Sequence, residues 1–163
     1  GGILYIGINI VGGIPDPLNA WDERLEYNIQ YVNNTLNDLM PLGNQIRGIL
    51  MLGHGRRSQY SRPFYDELPN MFLRGQPDRD VPFLYIHGDG HQWSYEDSMQ
   101  GLFDFYQFEG LQLDQGARAP PVRVDIAPYV NDVTIPLTRE NRHQSLYGDG
   151  LFRVDRRGGP YTQ

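Results

Sequence analysis

The chain has 163 residues, 39% of them hydrophobic and 21% charged, with a formal net charge of −6 and no cysteine. This composition carries a sizeable core and excludes a disordered chain, and its acidic balance argues against nucleic acid as a partner. The missing cysteines exclude a disulfide framework, thiolate zinc sites and cysteine nucleophiles, and no apolar run reaches the ~20 residues that span a bilayer.

The first predicted element is the apolar, β-rich run over residues 3–11, ILYIGINIV, with the pattern of a strand buried on both faces. Gly12, Gly13, Pro15 and Pro17 end it. Asn19 or Asp22 then caps a helix to about Met40, with Trp21, Leu25, Ile29, Val32, Leu36 and Leu39 on its apolar stripe. Pro41 and Gly43 close that helix, and residues 47–52, RGILML, form a second buried strand stopping at Gly53-His54-Gly55. A polar loop over 56–63 leads into a short helix at 64–73, which Pro69 interrupts or kinks. A third buried strand, VPFLYI over 81–86, runs into His87-Gly88-Asp89-Gly90-His91. Strand, helix, strand, helix, strand in this order predicts an α/β fold that opens as a parallel, right-handed βαβαβ unit.

Beyond His91 the pattern changes. Residues 104–114 and 121–126 alternate as half-exposed strands and are expected to form an antiparallel, hairpin-like pair. Val133, Ile135 and Leu137 suit one more short strand. The expected organisation is a layered domain over 1–129 and an extended polar, Arg-rich arm over 130–163.

Ligands of open α/β sheets collect beyond the carboxyl ends of the strands. His54 follows the second strand, and His87, Asp89 and His91 follow the third. Imidazoles with a carboxylate suit Zn, Mn or Fe, and the flanking glycines allow turns that aim side chains inward. The plain alternative is that each histidine is a hydrogen-bonded structural residue. Other chemistries have less behind them. All fourteen cations are Arg, so no lysine can serve in catalysis, and there is no phosphate-binding Gly-rich motif with its lysine. Ser58 and Ser94 lack a nucleophile-elbow context. Asn33-Asn34-Thr35 matches a glycosylation sequon inside the predicted first helix.

Taken together, "ILYIGINIVGG", "WDERLEYNIQYV", "GILMLGHG", "VPFLYIHGDGHQW" and "APPVRVDI" resemble the C-terminal half of the calcineurin-like metallophosphoesterases over residues 3–127. The resemblance implies a partial β-sandwich with flanking helices and a divalent metal, Zn, Mn or Fe. It implies His54, Asp89 and His91 as metal ligands, with His91 retained from a Gly-His-x-His motif and Asp89 replacing its first histidine. Asp89 and His87 are the candidates for acid–base or supporting roles. The implied activity is hydrolysis of a phosphate ester by a metal-activated water.

The Asp-x-His, Gly-Asp-x-x-Asp and Gly-Asn-His motifs of that family have no counterpart here. With an opening at Gly1-Gly2-Ile3 and no initiator Met, the chain is expected to be a piece of a longer protein. The alternative is a catalytically inactive, phosphoesterase-derived subunit that assembles, as a homo-oligomer or with a neighbour, through residues 130–163. A third reading is a one-metal hydrolase on an unrelated scaffold. The absence of cysteine and the sequon lean towards an extracellular or secretory location. No membrane span and no nucleic acid are expected.

Overall fold

The computed structural model describes residues 2–11, 15, 20–39, 46–75, 81–96, 108–114, 122–126, 146–147 and 151–155. Its elements are β1 (Gly2–Gly7), α1 (Trp21–Leu39), β2 (Ile46–Leu52), α2 (Arg62–Gly75), β3 (Phe83–His87), β4 (Ser94–Glu96), β5 (Phe108–Gln112), β6 (Arg123–Ile126), β7 (Leu146–Tyr147) and β8 (Phe152–Asp155). The fold is mixed α/β.

Five strands form one sheet in the order β1-β2-β3-β5-β4. β1, β2, β3 and β5 run parallel, and β4 lies antiparallel at the edge. The expected βαβαβ start is therefore present. Two successive right-handed crossovers stepping the same way put both helices on one face of the sheet. On that face Trp21, Leu25, Val32 and Leu36 of α1 and Phe64, Leu68 and Met71 of α2 bury against Ile6, Met51, Phe83 and Tyr85. The 3–4 spacing of the α1 positions is what puts them on one stripe.

The opposite face carries a smaller antiparallel sheet, β6-β8-β7. Leu50, Leu84 and Leu111 meet Leu151, Phe152 and Val154 there in a second core. The packing is tight over Gly48, where an added Cβ would collide with Leu151 Cδ2 and stand 3.1 Å from Phe152 Cζ. A side chain at that position would prise the two sheets apart.

Three expectations are corrected. β5 pairs in parallel with β3 and antiparallel with β4, while residues 123–126 pair with β8 in the other sheet. The expected hairpin between them does not form, because Leu111 is needed in the core between the sheets. The polar arm is not free throughout: Leu151, Phe152 and Val154 are buried, since a short alternating strand needs only a few inward side chains to anchor. The remaining arm residues, 130–145, 148–150 and 156–163, lie outside the described residues, as do Val133, Ile135 and Leu137. Finally, Pro69 does not interrupt α2, which runs from Arg62 to Gly75 with the proline inside it; the apolar face formed by Phe64, Leu68 and Met71 outweighs the one hydrogen bond that proline removes.

One buried polar side chain secures the start of this arrangement. Asn28 of α1 is 2% exposed. Its Oδ1 accepts from Asn9 N–H at 2.9 Å, and its Nδ2 donates to the carbonyls of Asn9 at 3.0 Å and Arg24 at 2.9 Å. The amide thus plays the part of a neighbouring strand for the segment after β1. Asn28→Ala is expected to lower unfolding free energy by about 1–3 kcal/mol, because both polar groups of Asn9 lose their partner. Urea unfolding followed by circular dichroism measures it.

Candidate functional site

The loops after β1, β2 and β3 are tied to one another by main-chain hydrogen bonds. His54 and Gly55 N–H both donate to Ile10 C=O, at 3.2 and 2.7 Å, and Gly88 N–H donates to His54 C=O at 3.2 Å. Gly53 N–H donates to Ile86 C=O at 3.1 Å. The two histidine-bearing turns therefore meet at one rim of the sheet, as adjacent parallel strands require.

A pair of buried phenols fixes the first turn from below. Tyr65 of α2 donates to Gly55 C=O at 2.9 Å, and Tyr85 of β3 donates to the same carbonyl. Both rings are fully buried, and burial pushes both phenols well above their ordinary range, so they remain protonated donors. The space around Gly55 leaves room for nothing else: a Cβ there would lie 2.8 Å from Val11 O and 2.9 Å from Ile10 Cγ2. Ser61, also buried, donates to Arg56 C=O at 3.0 Å and accepts from Ser58 N–H at 2.9 Å. Trp21 Nε1 reaches Tyr60 C=O at 3.1 Å and ties the start of α1 to the same segment. The 54–61 loop is thus held by main chain after β1, by α1, by α2 and by β3.

His87 ends β3 with its ring stacked on Tyr85, centroids 5.2 Å apart. It is 9% exposed, and its Nδ1 is buried with no hydrogen-bond partner among the described residues. Burial pushes its pKa down to about 4; the Asp89 carboxylate pulls the other way, and Arg56 and His54 add to the lowering. The imidazole is therefore neutral at pH 7. Because the folded value lies below the ordinary one of about 6.5, unfolded chains take up this proton first as pH falls. Stability from this group is complete above about pH 6.5 and is lost as pH drops towards 4. The loss is expected to be about 1–3 kcal/mol. Urea unfolding from pH 7 to 4, compared between the native protein and His87→Gln, isolates it as the difference in slope.

Asp89 lies 3.8 Å from Arg56 Nε in a long ion pair. His54 is exposed, with its Nδ1 3.9 Å from where a Cβ on Gly88 would stand. His91 is exposed too, and its backbone has a φ of 54°, in the left-handed region that disfavours non-glycine residues. Gln112 packs across this turn: a Cβ on Gly90 would collide with its amide group, whose Nε2 donates to Gln92 C=O at 2.6 Å. Since glycine would fit the backbone of His91 better, His91→Gly is expected to stay within about 1 kcal/mol of the native stability, the relieved strain offsetting the extra freedom of the unfolded chain. Equilibrium unfolding measures this; a loss above about 2 kcal/mol would make His91 a structural residue.

These placements bear on the metal. Among the described residues no three His, Cys, Asp or Glu side chains are grouped so as to hold a metal ion. His54, Asp89 and His91 share one rim of the sheet without forming a ligand cluster. The residues present do not by themselves fit the Zn, Mn or Fe centre that the resemblance implies.

What the rim does present is a cleft of about 400 Å³. Arg56, Arg57 and Ser58 line it from the loop after β2, and His87 from the end of β3. Arg57 is held in place by Asp66 of α2 at 3.0 Å and is 28% exposed. Two guanidinium groups, a hydroxyl and an imidazole make a donor-rich wall suited to an oxyanion. The far wall comes from β4 and β5, at Ser94, Gly110 and Gln112. Of these lining groups, only His87 stands among the residues that the sequence pattern marks as site candidates. Arg56 and Arg57 fall in a stretch that reads as a polar loop, Ser94 is placed in no strand by its pattern, and Gln112 lies in a strand whose expected partner, residues 121–126, is not the one it takes.

No protein-family model, curated protein or solved structure matches the chain. No helix among the described residues is long and apolar enough to cross a membrane.

Proposed function

We propose that this chain provides the phosphate-binding part of a phosphoesterase-like site, whose substrate is a phosphate ester. The observation that carries this reading is the cleft at the strand ends, which Arg56, Arg57 and Ser58 line together with the buried His87. Guanidinium forks match phosphate oxygens in geometry as well as charge. The resemblance over residues 3–127 points to the same substrate class.

Within this reading the chain's own residues bind and orient. Arg57, braced by Asp66, offers its remaining N–H groups to the anion. Arg56 reaches the cleft on a long, exposed pair with Asp89 that an entering phosphate displaces at little cost. The Tyr65–Gly55–Tyr85 contact keeps the loop from relaxing when the two like charges are brought together.

Hydrolysis by a metal-activated water would need ligands beyond His54, Asp89 and His91, because these do not form a cluster. The same observation favours the second reading, a subunit that binds phosphate esters without turnover and serves assembly. p-Nitrophenyl phosphate assayed with and without added Zn, Mn or Fe separates the two. Metal-dependent turnover supports hydrolysis. Saturable phosphate binding with no turnover under any metal supports the binding-only subunit, and neither turnover nor binding overturns both.

A further inference from the structure

The register of the sheet sets three polar residues in one row. His87 of β3 pairs with Gln112 of β5, and Gln112 pairs with Ser94 of β4. Residues paired across a sheet project to the same face, so His87, Gln112 and Ser94 stand side by side across three strands. Neighbouring strands are about 4.8 Å apart, which makes the row about 10 Å long. All three line the cleft, and Gly110, one alternation back from Gln112, leaves its floor without a side chain.

The row gives the cleft two different ends. Arg56 and Arg57 bring positive charge beside His87, past the end of β2. Towards β4 and β5 the lining is neutral and hydrogen-bonding. The Gln112 amide nitrogen is committed to Gln92 C=O, which fixes the side chain and leaves its carbonyl oxygen to accept. A hydroxyl on Ser94 both donates and accepts. His87 sits at the junction, nine-tenths buried, with an Nδ1 that no group among the described residues satisfies. A buried polar atom of this kind calls for a ligand or water partner.

We infer that the cleft takes a phosphate monoester of a small, hydroxyl-bearing molecule, with the phosphate at the arginines and the hydroxyls along the Gln112–Ser94 end. This rests on the phosphate reading above and deepens it by naming the organic part. Among the described residues that line that end no ring offers a stacking partner to an aromatic ester, which also leaves the oxygens of Gln112 and Ser94 unpaired. A polyol satisfies them. A cleft of about 400 Å³ holds a ligand of this size.

The test is isothermal titration of the folded protein with inorganic phosphate, glucose 6-phosphate and phenyl phosphate. Glucose 6-phosphate is expected to bind about 10-fold more tightly than inorganic phosphate, and phenyl phosphate no more tightly than inorganic phosphate. Ser94→Ala is expected to weaken glucose 6-phosphate about 3- to 10-fold and leave inorganic phosphate unchanged. Gln112→Met provides a second variant with the same pattern. Phenyl phosphate binding more tightly than glucose 6-phosphate overturns the inference while sparing the phosphate reading. So does an equal effect of Ser94→Ala on inorganic phosphate and the sugar ester. Failure of all three compounds to bind overturns both.

Discussion

Gly55→Ala is expected to destabilise the protein by about 2–4 kcal/mol, whereas Gly88→Ala, in the neighbouring turn of the same rim, changes it by less than about 1 kcal/mol. The contrast comes from the atoms that each new methyl group would meet. At Gly55 it lies 2.8 Å from Val11 O and 2.9 Å from Val11 C, and main-chain atoms cannot swing aside as the end of a side chain can. Relief requires moving the loop. That movement stretches Gly55 N–H from Ile10 C=O, now 2.7 Å, and pulls the Gly55 carbonyl from two phenols with no water to replace it. At Gly88 the nearest atom is 3.9 Å away, an ordinary contact. Urea unfolding of both variants measures the difference. Equal effects would mean that the 54–61 loop is not held as described.

Arg57→Ala carries the largest expected effect on binding, a rise of about 10- to 100-fold in the Kd for phosphate. Its guanidinium is partly buried and oriented by Asp66, so little freedom is lost when an anion arrives. Arg56 is 62% exposed and its pairing at 3.8 Å is long, which makes its contribution smaller and more sensitive to salt. Arg57→Lys keeps the charge and loses the fork, and is expected to recover only part of the affinity. Asp66→Asn tests the sign. Removing the carboxylate that competes for Arg57 raises the positive potential of the cleft and tightens phosphate binding several-fold at low salt. Titration calorimetry of the three variants gives the order. Asp66→Asn weakening phosphate as much as Arg57→Ala would show that the ion pair builds the loop and that Arg57 does not face the ligand.

The parallel half of the fold is legible because its signals are local. Apolar runs at 3–11, 47–52 and 81–86, each handed to a Gly-containing polar turn, imply parallel strands; β2 and β3 are largely buried as expected, whereas β1 ends at Gly7 and, at the sheet edge, leaves Tyr5 exposed. The rim obeys the same rule, and the structure joins the turns of His54 and His87 through Gly88 N–H. Strand pairing further along the chain is not legible in this way. The stretch containing Phe108–Gln112 alternates equally well as one arm of a hairpin or as a strand beside β3. Which occurs is decided by Leu111 filling the space between the two sheets. Residues 151–155 read as part of a polar arm because Arg153 and Asp155 alternate with the two inward side chains, Phe152 and Val154, and mask them. The cationic wall is hidden for a similar reason. Arg56 and Arg57 are adjacent polar residues in a loop, and only Gly55, clamped from beneath, and Asp66, on the helix beyond, turn them into a lining. The reverse case is the metal trio: type and spacing suggest ligands, but three side chains on one rim need a common point to face, and spacing does not supply one.

Titration of the folded protein with inorganic phosphate at low ionic strength decides whether the strand-end cleft is an oxyanion site. Saturable one-to-one binding with a Kd of about 1 mM or tighter is predicted, weakening steeply with added salt and lost on combining Arg56→Ala with Arg57→Ala. No saturable binding up to about 10 mM, or binding that survives loss of both arginines, would contradict it.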